Sequence, residues 1–151
     1  MTHGHTEARE VEILLQRQQE LFSELDAMSA RQSELIEAQD TDRLLTVLAE
    51  RQSVIDRIAD TSVRLEPYRA SWDAVIAGLD ESGKERVRRR IDLLAELAER
   101  VARRDEADRR LLEERRDAVA GEMVQINRGR GAMAAYGTGP QTGARMQDRE
   151  A

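Results

Sequence analysis

An apolar stripe repeating at alternating steps of three and four residues runs from Val11 and is still legible at Ile126. That spacing is the signature of long amphipathic helices that bury one face against other helices, and it leaves little room for any other fold. In the first stretch it reads Val11, Leu14, Gln18, Leu21, Leu25, Met28, Gln32, Leu35, Gln39. In the last it reads Val87, Ile91, Leu94, Ala98, Val101, Asp105, Asp108, Leu112. Glutamine and aspartate on such a seam lower its stability relative to an all-leucine seam, so they either fix register or keep a surface loose for exchange with other helices. The chain reads first as an interaction protein.

Composition supports a seam over a globular core. Of 151 residues only 3% are aromatic, too few for an ordinary core but enough for a bundle of Leu, Ile, Val and Ala, and the length fits one domain. The chain has no cysteine, which removes disulfides, thiolate nucleophiles and thiolate metal sites and fits a reducing compartment. No window approaches a membrane-spanning run and Met1 to Glu10 has no signal-like apolar stretch, so a cytoplasmic location without membrane insertion is expected.

The punctuation predicts an all-α fold: an antiparallel helical hairpin plus a long third helix, forming a three-helix bundle or coiled coil with a flexible C-terminal tail. Residues 1–6 are expected to be a disordered start, residues 7–136 a single helical domain, and residues 137–151 a disordered tail lacking the apolar residues that would offset ordering. Within the domain, the helices are expected at about 7–39, 42–65 and 83–127. Thr6 would cap the first, Asp40, Thr41 and Asp42 would reverse the chain into the second, and Glu66 before Pro67 would end it. A short segment over 67–77 carries Trp72, read as a packing anchor closing one end of the hairpin, with a partner hot spot as the alternative. Ser82 to Glu85 matches a capping box for the long helix. Gly129 and Gly131 weaken helix while the apolar spacing continues through Met133 and Tyr136, which suits a segment that orders on contact.

Charge is uneven. Residues 1–83 hold 17 acids and 8 bases, residues 84–116 hold 9 acids and 12 bases, and residues 117–151 hold 4 of each. The run Lys84, Arg86, Arg88, Arg89, Arg90 resembles a phosphate footprint, but it alternates with Glu85, Asp92, Glu96 and Glu99 and lacks interleaved aromatics. The simpler reading packs a basic helix beside acidic ones, with no nucleic-acid partner. Exposed ion pairs contribute roughly 0–1 kcal/mol each, so these charges select helix order more than they stabilise it.

No chemistry-bearing constellation emerges, and neither enzyme activity nor a cofactor is expected. His3 and His5 both lie in the expected loose start, so no histidine metal site or general base can be built inside the helices. Asp105 and Asp108 share a helix face and as paired carboxylates could hold a cation. With Arg103, Arg104, Arg109 and Arg110 beside them, they read more simply as solvated ion pairs at helical spacing. Gly129-x-Gly131 follows a helix and lacks the rest of a phosphate loop. Met123 and Met133 near the end of the long helix suit either gap-filling or a surface that accepts several partners.

The stretch Leu35 to Ile58, LIEAQDTDRLLTVLAERQSVIDRI, resembles the hairpin of FlgN-type flagellar export chaperones: a small residue, Asp, Leu-Leu, then a polar helix with Gln and a hydrophobic pair. Arg104 to Gly137, RDEADRRLLEERRDAVAGEMVQINRGRGAMAAYG, is similar to that family's long last helix, with its polar centre and Tyr-Gly-like end; Gly129 and Gly131 depart from the pattern. The resemblance covers about residues 8–137. It implies a cytoplasmic chaperone of the flagellar type III secretion system that covers the helical ends of hook–filament junction proteins and delivers them for export. It also implies client binding through Leu112, Val119, Met123, Ile126 and Met133, and a tyrosine, Tyr136, that docks on the export gate protein; a packing role for Tyr136 stays open. A generic coiled-coil adaptor or homodimer, using the same stripe for self-association, is the alternative.

Overall fold

The computed structural model describes the backbone of residues 2–137 and the side chains of residues 6–131. Those residues form helices α1 (Thr2–Glu37), α2 (Thr41–Arg69), α3 (Trp72–Ala77) and α4 (Glu81–Gly137), with no strand among them. The chain divides into two compact units, Met1–Asp108 and Arg109–Ala151, with the boundary inside α4.

In the first unit, α1 and α2 run antiparallel. Glu10 meets Tyr68, Gln18 meets Ile58 and Ser62, and Gln32 meets Arg51, so positions ascend on one helix as they descend on the other. The α4 segment runs parallel to α1. Arg86 pairs with Glu12, Arg100 and Arg104 pair with Asp26, and Gln32 donates to Asp108 across 76 residues. The same separation relates Val11 to Val87 and Leu25 to Val101, each pair sharing one core cluster. A constant offset over three heptads is what a coiled-coil seam produces. Basic α4 therefore does lie beside acidic α1, with cross-helix pairs at their edges.

The apolar interior comes in two clusters. Ala8, Val11, Leu15, Val75 and Val87 are buried together, with Trp72, Tyr68 and Leu65 packed against them. The short helix α3 thus brings Trp72 to the end of the hairpin, as a packing anchor would be. Further along, Leu21, Leu25, Val54 and Val101 form a second cluster flanked by Phe22, Met28, Ile55 and Ile58. Full burial of each such side chain stabilises by about 1.5–3 kcal/mol. Four buried side-chain atoms, Gln18 Oε1, Ser29 Oγ, Arg51 Nε and Asp105 Oδ1, find no partner among the described residues, which opposes that gain.

Helix ends depart from the expected ones for local reasons. Backbone helix begins at Thr2, so Thr6 lies inside α1 and is not its cap. The first helix ends at Glu37, where Gln39 adopts φ 56°. The Asp40 amide bonds back to Leu35 O at 3.1 Å and the Gln39 amide to Ile36 O at 3.1 Å, the crossed pair of a Schellman motif. Asp40 then caps α2, its carboxylate accepting from the Arg43 amide at 3.2 Å. One residue thus closes one helix and opens the next.

The expected stop at Pro67 does not occur, and α2 continues through it to Arg69. The carbonyl that proline cannot serve belongs to Val63, on an exposed face, where water can reach it. Meanwhile Leu65 and Tyr68 hold the last turns in the end cluster, and that packing outweighs the loss of one bond. At the start of α4 the cap is Asp80, whose carboxylate accepts from the Gly83 amide at 2.7 Å. Ser82 is not that cap; its hydroxyl accepts from Arg86 at 2.9 Å. Helix α4 also passes the expected stop near Asn127 and reaches Gly137.

The seams shift in detail. On α4 the buried side chains are Val87, Leu97, Val101 and Asp108, with Gly83 buried at its start, whereas Ile91 and Ala98 are exposed. On α2 the seam is Val47, Val54 and Thr61, with Leu44, Arg51, Ile58 and Leu65 partly covered; Leu48 and Gln52 face outward.

Candidate functional site

In the second unit, the α4 residues Leu112, Val119, Met123 and Ile126 are 46%, 58%, 55% and 50% exposed. Their spacing of seven, four and three places them on one face at about 100° per residue, over roughly 21 Å of helix. Large apolar side chains in a row at this exposure are not the scattered leucines of an ordinary surface. Helix formers such as Ala118, Ala120, Arg115 and Glu122 carry the backbone between them. An Arg109–Glu113 pair at 2.6 Å and an Arg116–Asp117 pair at 3.5 Å lie on this unit.

These are four of the five positions expected to bind a client. Met133, and Tyr136 expected at the export gate, lie on the α4 backbone, but their side chains fall outside the described residues. Val124, 49% exposed, was missed. It follows Met123 directly and so lies about a quarter-turn off the stripe; its β-branched apolar side chain in a polar stretch was the available signal. An exposed apolar stripe of this spacing is a surface able to receive the apolar face of another helix.

The other candidate, the Asp105 and Asp108 pair, is not a set of solvated ion pairs. Asp108 is 6% exposed; it accepts from Gln32 Nε2 at 2.9 Å and from Ser33 Oγ at 2.8 Å. Asp105 pairs with Arg51 of α2, whose guanidinium also donates to Gln32 Oε1 at 3.1 Å. Donors from α1 and α2 thus take up the carboxylates in a polar layer of the bundle. Among the described residues no group of three or more His, Cys, Asp or Glu stands together to hold a metal ion, and no helix is long and apolar enough to cross a membrane. One phenol is perturbed: Tyr68 donates to Glu10 Oε2 at 2.6 Å. That bond, then burial and the charges of Glu10 and Glu7, raises its pKa above 10.0.

Compared with known proteins, residues 7–143 match a protein-family model described as FlgN protein. No curated protein and no solved structure matches the chain.

Proposed function

Because the chain belongs to the FlgN family, whose members are flagellar export chaperones, we propose that it covers the helical ends of hook–filament junction proteins in the cytoplasm and brings them to the type III export apparatus. The observation that carries this reading is the exposed stripe Leu112, Val119, Met123, Ile126. Junction-protein termini are coiled-coil helices that polymerise through apolar faces, and an unpartnered amphipathic helix is the surface that masks such a face. Met133 extends the stripe by one further heptad, and Tyr136, one turn on, is assigned to the export gate protein.

Magnitudes favour a carrier over a permanent partner. Half-exposed side chains of this size gain on the order of 1 kcal/mol each when covered, so four contribute about 4 kcal/mol. Binding must also offset lost translational and rotational freedom, so the stripe alone supports a weak complex. A client held this way can be released without chemical energy.

The test is co-purification from the native cell of the full chain, an Ile126→Asp variant and a truncation ending at Glu122, with mass spectrometry of what stays bound. Recovery of junction proteins on the full chain, and their loss from both variants with helicity retained, is the expected result. Recovery of the protein alone, in dimers that the truncation disrupts, would replace this reading with self-association through the same stripe.

A further inference from the structure

Three glycines, Gly121, Gly129 and Gly131, stand in the helix that carries the stripe, and neither packing nor backbone geometry requires them. A Cβ added at any of the three would meet nothing within 4 Å, and none has a positive φ. Gly83, at the start of the same helix, is the contrast, because a Cβ there would sit 2.9 Å from Asp80 Oδ1. A helical glycine with open space around it contributes only a penalty: its backbone has more freedom to lose on ordering than that of any other residue. Gly121 is nine residues from Leu112, about half a turn away on the helix, so it faces away from the stripe. A close approach by a partner lying along the stripe does not account for it.

We propose that these glycines set the residence time of a client by keeping the stripe-bearing helix marginally stable when unbound. The inference rests on the client-binding reading above and concerns the regulation of that same surface. When the free helix is marginal, part of the contact energy goes into ordering it, and affinity falls by that amount while the contacts themselves are unchanged. Most of such a change appears in dissociation. A chaperone must shield an apolar helix and then surrender it, and a helix weakened by glycines meets both demands without altering the apolar side chains that recognise the client.

The test uses the full chain, its Gly121→Ala variant and the Gly121→Ala/Gly129→Ala/Gly131→Ala variant. Purified hook–filament junction proteins of the same bacterium serve as the probe. Amide exchange of residues 112–131 is followed with and without them. The single variant is expected to bind about fivefold tighter and the triple about a hundredfold tighter, mainly through slower dissociation. Fivefold corresponds to about 1 kcal/mol at 1.4 kcal/mol per tenfold, the usual glycine penalty in a helix. In the free protein, exchange of this segment should slow in the same order. If exchange slows but affinity does not change, the glycine proposal falls while the client reading stands. If the folded wild-type chain binds no junction protein, the client reading falls and takes the proposal with it.

Discussion

Gln32 and Asp108 meet side chain to side chain at 2.9 Å although 76 residues separate them, and both are almost fully buried. Ser33 donates to the same carboxylate, and Arg51 links Gln32 to Asp105. The fourth heptad layer of the bundle is therefore polar on all three helices. Polar layers stabilise little for their size, but they penalise other registers, in which these groups would be buried without partners.

An Asp108→Leu substitution leaves Gln32 Nε2 buried without its acceptor, while the half-buried Ser33 hydroxyl keeps Ser29 O at 3.2 Å, and should destabilise the bundle by about 1–3 kcal/mol. Adding Gln32→Leu and Ser33→Ala should recover part of that loss, because the stranded donor is removed as well. Urea unfolding followed by circular dichroism gives the comparison; a triple variant no more stable than the single one would contradict this account.

Gln39 closes α1 at φ 56°, a conformation that L residues other than Asn, Asp and Gly adopt at a cost of roughly 1–2 kcal/mol. Gln39→Gly should raise stability by up to about 1 kcal/mol, since glycine adopts this geometry freely but loses more entropy on folding. Thermal unfolding reads the sign, and Gln39→Val should shift the midpoint the other way.

Gly83→Ala brings a Cβ to 2.9 Å from Asp80 Oδ1 and 3.3 Å from Leu79 Cβ, disturbing the carboxylate that caps α4. The lost cap costs about 1 kcal/mol, enough to cancel or reverse the usual gain from glycine to alanine. In an Asp80→Ala background the cap is already absent and only the Leu79 contact remains, so the same substitution should be less unfavourable than in the parent chain. A double-mutant cycle by chemical denaturation measures that coupling.

Tyr68 should ionise above the ordinary tyrosine range, because its hydroxyl hydrogen is held by Glu10. The raised folded-state pKa means the bond's contribution is fully present below pH 10.0 and is lost as pH rises through the folded value. Ultraviolet titration of a Tyr136→Phe variant isolates this phenol, since the chain has only two tyrosines. Glu10→Gln should bring its ionisation back down; an unchanged curve would mean that the bond does not form in solution.

Part of this site was legible from residues alone. Leu112, Val119, Met123 and Ile126 follow the helical period, and period depends only on spacing. Seam membership on α2 was harder to read. The bundle turns Arg51 and Thr61 toward its interior and leaves the apolar Leu48 exposed. Covering a polar side chain costs least where partners satisfy it: those of Arg51 are the distant Gln32 and Asp105, and that of Thr61 is Arg57 O one turn back. Asp108 was misread for the same reason: the arginines flanking it in sequence are visible there, while Gln32 and Ser33 are brought to it by folding.

The sequence by itself determined the class of fold, the reversal near Asp40, the presence of an amphipathic stripe near the end of the chain and the kinship with flagellar export chaperones, because period, capping chemistry and family pattern are local properties of the chain. Only the tertiary structure decided which polar residues go inside, that α2 runs through Pro67, and that Asp80 opens α4. Each of these balances a local preference of about 1–3 kcal/mol against packing or hydrogen bonds made with other segments, and those partners are chosen only once the helices have met.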